Sequence, residues 1–301
     1  MGHGHGHVAE HAGGRHRWRL LVAVVLVGAF FVAELLAGLV SGSLALLSDA
    51  GHMAADVATL TAALVATRLA TRPDPSGRRT FGSYRAEVFA SGLAVVLMLV
   101  VSVYVVVEAV ARFGAADPEV ASGAMVAVGA VGLVVNLVAL ALLRGGASES
   151  LNVRGAYLEV VADTLGSVGV VVAGVLVAST GNVLWDTVVA LAIAVFVAVR
   201  AVLLGREVLA VLGQHAPRGM EPTDLVGALT ALDGVTDVHD LHVWTLTSGM
   251  NVATVHLVAD ERASSAVLAL ATELLRERFG IAHATIQVES RDHAHCSGAD
   301  W

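Results

Sequence analysis

The sequence contains no lysine: all 18 of its basic residues are arginine. That absence excludes a phosphate-binding GxxxxGK[ST] loop and argues against an ATP-driven pump. A single cysteine, Cys296, excludes an intrachain disulfide framework. Charge is also scarce, at 15% of 301 residues, whereas hydrophobic residues reach 56%. With a mean hydropathy of +0.76 the chain is too apolar for a soluble protein of this size and reads as integral to a membrane. The net charge of -8 comes largely from the C-terminal region and argues against nucleic acid as a partner.

Apolar runs of helix-spanning length lie near 18–40, 44–69, 88–113, 120–143, 157–179 and 183–212, which predicts six transmembrane helices. Arginines gather at Arg15, Arg17 and Arg19, at Arg68, Arg72, Arg78, Arg79 and Arg85, at Arg144 and Arg154, and at Arg206 and Arg218; the opposite ends carry only Arg112. By the positive-inside rule both termini and the loops 71–84 and 145–152 are expected in the cytoplasm, in a multi-pass protein of the cell membrane. The N-terminus lacks the order of a signal peptide, so the first span is expected to be retained.

Two of the spans carry acids that need a reason to be there. LALLSDAGHMAAD, 44–56, places His52 and Asp56 four residues apart, on one helix face. AYLEVVADTLGS repeats the spacing with Glu159 and Asp163. An ionised carboxylate in hydrocarbon costs roughly 2.5–3.5 kcal/mol on insertion scales unless it pairs, meets water or binds a cation. One such acid is as well explained by a polar contact within a bundle. Two matching pairs point to a shared metal site of four ligands. Glu34 reads as facing the bundle interior, and Glu108 with Arg112 as an interfacial i, i+4 pair; neither is read as a ligand. Gly123, Gly129 and Gly132, and then Gly166, Gly169 and Gly174, predict close helix packing, and Asn136 an interhelical hydrogen bond.

The chain opens with a tail, 1–17, in which His3, His5 and His7 alternate with glycine and His11 and His16 follow. It reads as a disordered, weakly metal-gathering segment, with an expression tag as the alternative. The membrane domain is expected over 18–212, a linker over 213–221, a small soluble domain over 222–290 and a tail over 291–301. Within the soluble domain the pattern predicts a helix at 222–232, strands at 235–246 and 251–260, a helix at 264–279 and a strand at 284–288, an αββαβ sandwich with one open sheet face. His239 and His242 differ by three, so in a regular strand they point opposite ways; the sequence leaves open which turns inward.

Taken together, SLALLSDAGHMAAD, FGSYRAE, SLNVRGAYLEVVADTLGSVGV, DLHVWTLTSG and HATIQVES resemble the cation diffusion facilitator family over nearly the whole chain. The resemblance implies six spans, a metallochaperone-like cytoplasmic domain, a homodimer, and proton-coupled export of zinc or a related divalent metal, with no enzyme activity and no prosthetic group. It implies that His52, Asp56, Glu159 and Asp163 form the transport site between the second and fifth spans. It also matches His239, His256 and Glu289 to a regulatory site in the cytoplasmic domain, while His295 and Cys296 of the tail could add a soft ligand. The zinc exporters most like this chain carry His where Glu159 stands. Zinc remains the leading cargo, and the harder, more negative site shifts the balance towards Co²⁺, Fe²⁺ or Mn²⁺, with Cd²⁺ a further candidate. The competing reading is a membrane-anchored metal sensor or metalloenzyme that moves no metal.

Overall fold

The computed structural model describes residues 17–54, 57, 77–112, 120–144, 151–247, 249–260 and 264–290. Asp56, the His/Gly tail, His295 and Cys296 lie outside them. The chain divides into two compact units, Met1–Leu64 with Ala90–Gly205, and Val65–Phe89 with Arg206–Trp301.

The first unit is helical: α1 (Arg17–Ser41), α2 (helical over 44–54), α3 (Ala86–Arg112), α4 (Ser122–Arg144), α5 (Leu151–Thr180) and α6 (Leu184–Leu212). Four apolar helical stretches are long enough to cross a membrane among the described residues: Ala86–Arg112, Ser122–Arg144, Val160–Thr180 and Leu184–Leu212. Exposed valines and leucines along them, such as Val100, Val107, Val134 and Leu165, are the expected lipid-facing surface. Two left-handed glycines separate helices: Gly42 (φ 68°) stands between α1 and α2, and Gly181 (φ 65°) ends α5. Asn182 then starts α6 by accepting the Leu184 amide at 2.9 Å.

Small residues set the α4–α5 contact. A Cβ at Gly129 would lie 3.0 Å from Val171 Cγ2, and one at Gly174 would lie 2.8 Å from Val126 Cγ2, so these two backbones meet as the glycine pattern predicts. The pattern does not extend to Gly123, which has open space beside it, or to Gly169, whose nearest neighbour stands at ordinary contact distance. Asn136 on α4 donates to Ser167 Oγ on α5 at 3.2 Å, an interhelical bond.

In contrast to the lipid-facing helices, α2 is buried almost all round, with Leu44, Ala45, Leu46, Ser48, Asp49, Ala50, His52 and Met53 all inside the unit. Its placement is set by a side chain distant in sequence. Asp186, fully buried in the first turn of α6, accepts from Ser43 Oγ at 2.6 Å and from the Leu44 and Ala45 amides at 2.9 and 3.1 Å. Those amides are orphan donors of a helix start, and an anion there also complements the helix dipole. Arg112 completes the cluster, reaching Asp186 Oδ2 at 3.3 Å and the Gly42 carbonyl at 2.8 Å. Arg112 therefore does more than form the interfacial pair expected with Glu108, from which its Nε stands at 3.6 Å.

The second unit contains α7 (Pro222–Thr230), β1 (Val235–Thr247), β2 (Met250–Ala259), α8 (Ser264–Phe279) and β3 (His283–Glu289). The sheet order is β1-β2-β3, with β1 antiparallel and β3 parallel to β2. Parallel pairing requires a crossover, which α8 supplies. Leu225 and Leu229 of α7 and the stripe Val267, Ala271 and Leu275 of α8 pack with Ala253, Val255 and Leu257 of β2. The two-residue strand period therefore leaves His256 on the opposite sheet face.

Candidate metal centres

Among the described residues, two clusters of side chains of metal-ligand type emerge, one in each unit. In the membrane unit, Asp186 and the Ser43 cap, whose Oγ accepts the Leu46 amide at 3.2 Å, set the phase of α2 and hence the direction in which His52, two turns on, projects. His52 and Asp163 are both buried, and Nε2 of the imidazole lies 3.2 Å from Oδ1 of the carboxylate. Glu159 stands four residues before Asp163 in the continuous α5; its side chain, like the whole of Asp56, lies outside the described residues. Of the four residues anticipated as a transport site, two are brought together and the other two are left undescribed.

Three further ionisable groups surround this pair. Asp49, three residues before His52, is buried, and its Oδ1 would lie 2.5 Å from a Cβ added at Gly166 of α5. Glu34, buried on α1, faces Asp49. Two ionised carboxylates can only accept, so a hydrogen bond between Glu34 and Asp49 requires one of them to carry a proton. Arg200 of α6 is the third: its Nη1 stands 2.9 Å from His52 Nε2, and its guanidinium carbon is 6.0 Å from the centroid of the Phe196 ring. A guanidinium inside a span costs roughly 2.5–3.5 kcal/mol on insertion scales unless partnered, so acids and an imidazole are fitting company.

Glu34 lies in the interior, as its position mid-span implies, whereas Asp49 and Arg200 are additions that the spacing of the paired ligands does not reveal. The signal for both was present: each is a charged residue within an apolar run, and both fall on the helical faces that His52 and Phe196 mark.

In the cytoplasmic-type unit, one irregularity in β1 builds the second cluster. His239 pairs with His256 and His242 with Thr254, so three residues of β1 match two of β2. This bulge absorbs a residue, with Asp240 in the left-handed region at φ 51°, and puts both histidines at positions on the His256 face. The expectation of opposite orientations assumed a regular strand, which this one is not. His239 is then the one turned into the cluster: its ring packs against that of His256 with centroids 5.4 Å apart. His242 instead bonds Asp240 at 3.0 Å and is half-exposed.

One ligand atom from each of His239, His256 and Glu289 lies within 4.8 Å of the others. His256 Nδ1 is 3.0 Å from Glu289 Oε1, and His239 Nε2 is 3.6 Å from Glu289 Oε2. Zinc with bonds of about 2.0–2.1 Å in tetrahedral geometry holds its ligands roughly 3.3 Å apart, so the spacing suits a single ion. The buried atoms also lack other use: among the described residues His239 Nε2 and Glu289 Oε2 have no hydrogen-bond partner. Asp237 contacts the remaining nitrogen of His239, Nδ1, at 3.2 Å, the orienting carboxylate usual behind a metal-binding imidazole.

These features define a class, a helical membrane protein with a buried acid and imidazole cluster and an appended α+β module whose side chains could hold a metal ion. The family profile described as cation efflux transmembrane domain matches residues 20–212, and that described as cation efflux protein, cytoplasmic domain matches residues 217–291. The chain belongs to the cation diffusion facilitator family, and it is a multi-pass membrane transporter of divalent metal cation efflux. It is 39% identical over 302 residues to the metal cation efflux system protein CzcD of Cupriavidus metallidurans, covering 100% of this chain and 93% of that one. It is 34% identical over 303 residues to the cadmium, cobalt and zinc/H(+)-K(+) antiporter of Bacillus subtilis, covering 98% and 94%. It is likewise 34% identical over 304 residues to the zinc transporter ZitB of Escherichia coli, covering 100% and 95%. Among solved structures, the metal-bound C-terminal domain of the CzcD transporter aligns at 38% identity, covering 23% of this chain and 99% of that one with a TM-score of 0.22.

Proposed function

We propose that this protein exports a divalent cation from the cytoplasm in exchange for protons, with His52, Asp56, Glu159 and Asp163 as the transport site between α2 and α5. The observation that carries the reading is the 3.2 Å contact of buried His52 and Asp163 across those two helices. Zinc is the leading cargo, and three carboxylates beside one imidazole also suit Co²⁺, Fe²⁺, Mn²⁺ or Cd²⁺. The B. subtilis relative is named for cadmium, cobalt and zinc, the E. coli one for zinc alone, and the extra acid at Glu159 favours the broader range.

Proton coupling follows from charge. Protons and a dication compete for the same oxygens and imidazole, because a bound dication needs ionised carboxylates and a neutral ring. Metal therefore expels protons on the cytoplasmic side, and a more acidic exterior returns them. The assembly is a homodimer in the lipid bilayer with both termini cytoplasmic, its membrane domain over 18–212 and its cytoplasmic domain over 222–290. His239, His256 and Glu289 bind metal as a regulator of that domain.

Proteoliposome uptake with a panel of metals and an imposed pH gradient tests the whole reading. Zinc or cobalt flux driven by the gradient is expected. Metal that binds without crossing a sealed vesicle would favour the second reading, a membrane-anchored metal sensor, which rests on the cytoplasmic cluster. Flux indifferent to the gradient for every metal would leave a uniporter.

A further inference from the structure

Arg200 contacts the transport site through an atom that a cargo ion needs. A guanidinium carries only donors, so the 2.9 Å contact from its Nη1 makes His52 Nε2 the acceptor, with the hydrogen of the neutral ring on Nδ1. Asp163 Oδ1, 3.2 Å from the same Nε2, offers a second acceptor beside it. One lone pair on nitrogen and the electron pairs of a carboxylate thus converge next to a single positive group, an arrangement a dication would also take. The two cations cannot share the Nε2 lone pair.

We propose that Arg200 is a tethered substitute for the cargo, holding His52 in the empty transporter and yielding to the metal when it arrives. The residue type suits the task. Arginine stays charged over the whole physiological range, so the substitute is present whatever the pH on either side. Its long stem allows the head group to withdraw, and the Phe196 ring, over which the guanidinium carbon already lies at 6.0 Å and whose centroid is 6.0 Å from that of the His52 ring, keeps an aromatic face beside the cation. Two consequences follow for transport. Cargo binding is weakened by the competition, which helps release. The metal-free, proton-bearing site also keeps a positive partner for its remaining negative charge while it recrosses the apolar interior.

The idea rests on the transport-site reading, so the experiment separates the two. Metal binding by full-length protein in detergent is measured with Co²⁺ and Zn²⁺, and proteoliposomes give both net efflux and metal-for-metal exchange, in which the empty form never has to return. If the guanidinium occupies the site about nine-tenths of the time, Arg200→Gln tightens apparent affinity about tenfold. Net flux in that variant falls severalfold while exchange holds, and Arg200→Lys, which restores a cation, recovers net flux. Arg200→Met, better suited to an apolar span, replaces the Gln variant should the latter fail to fold. Unchanged or weaker binding in the charge-removed variant, or net flux and exchange falling together, would overturn the proposal and make Arg200 a packing residue. Asp163→Ala runs alongside: metal binding and flux equal to wild type in that variant would instead overturn the site reading itself.

Discussion

Asp186 and Arg112 form an ion pair of 3.3 Å at the start of α2, although neither residue belongs to that helix. The carboxylate is fully buried and already accepts the Ser43 hydroxyl and two backbone amides, so the pair joins α3 and α6 to the N-terminus of the helix that carries His52.

Removing that carboxylate leaves a largely buried guanidinium and two amides without their anion. Breaking a buried pair in this way costs about 3–5 kcal/mol. Asp186→Ala is therefore expected to lower the midpoint of thermal unfolding in detergent and to abolish flux, because α2 loses its anchor. Asp186→Asn, which retains an acceptor, should fall between the two. A melting curve and flux unchanged in Asp186→Ala would show that the cap is dispensable.

Asp163→Ala and Asp56→Ala are each expected to abolish metal flux while the protein stays folded, since each deletes an oxygen needed to balance a desolvated dication. Monodisperse elution with wild-type melting checks the fold, and proteoliposome uptake checks the flux. Near-normal uptake by either variant would remove that residue from the site.

Glu159→His takes one carboxylate from the site and adds an imidazole, a softer ligand better suited to zinc. Relative uptake of zinc over manganese and cobalt should rise, and the dependence of flux on pH should change because one acidic group is gone. The same metal ranking and the same pH profile as wild type would place Glu159 away from the cargo.

Gly166 lets α5 lie close against Asp49 of α2. A Cβ there would sit 2.5 Å from Asp49 Oδ1, so Gly166→Ala forces Asp49 or the helix to move, at a cost of about 1–3 kcal/mol for overpacking. Gly123→Ala, where no atom of the described residues lies within 4 Å, is the matched control and should melt like wild type. Equal melting temperatures and equal flux for the two variants would argue against tight packing at Gly166.

In the cytoplasmic domain, His256→Ala removes a proposed ligand and Asp237→Asn loosens the orientation of His239. The first is expected to abolish zinc binding to that cluster; the second should weaken it about 10- to 100-fold, as outer partners of metal ligands do. Calorimetric titration of full-length protein carrying Asp163→Ala, which silences the membrane site, isolates the effect. Wild-type affinity in both variants would mean that zinc does not bind there.

The sequence by itself determined whatever depends on local periodicity. The αββαβ order followed from apolar spacing that switches between helical and strand periods, and the helix over 264–279 coincides with α8, Ser264–Phe279, because the stripe ending at Leu275 is followed by Gly280 at φ 65°. The paired acids were visible for the same reason, since four residues make about one helical turn. Only the tertiary structure decided which distant groups meet. Asp186 finds Leu44 across 142 positions and Arg200 finds His52 across 148, and no spacing rule links residues so far apart. The orientation of His239 was likewise hidden, because a bulge adds one residue to a strand without changing its composition, and that one residue decides which face of the sheet each side chain occupies.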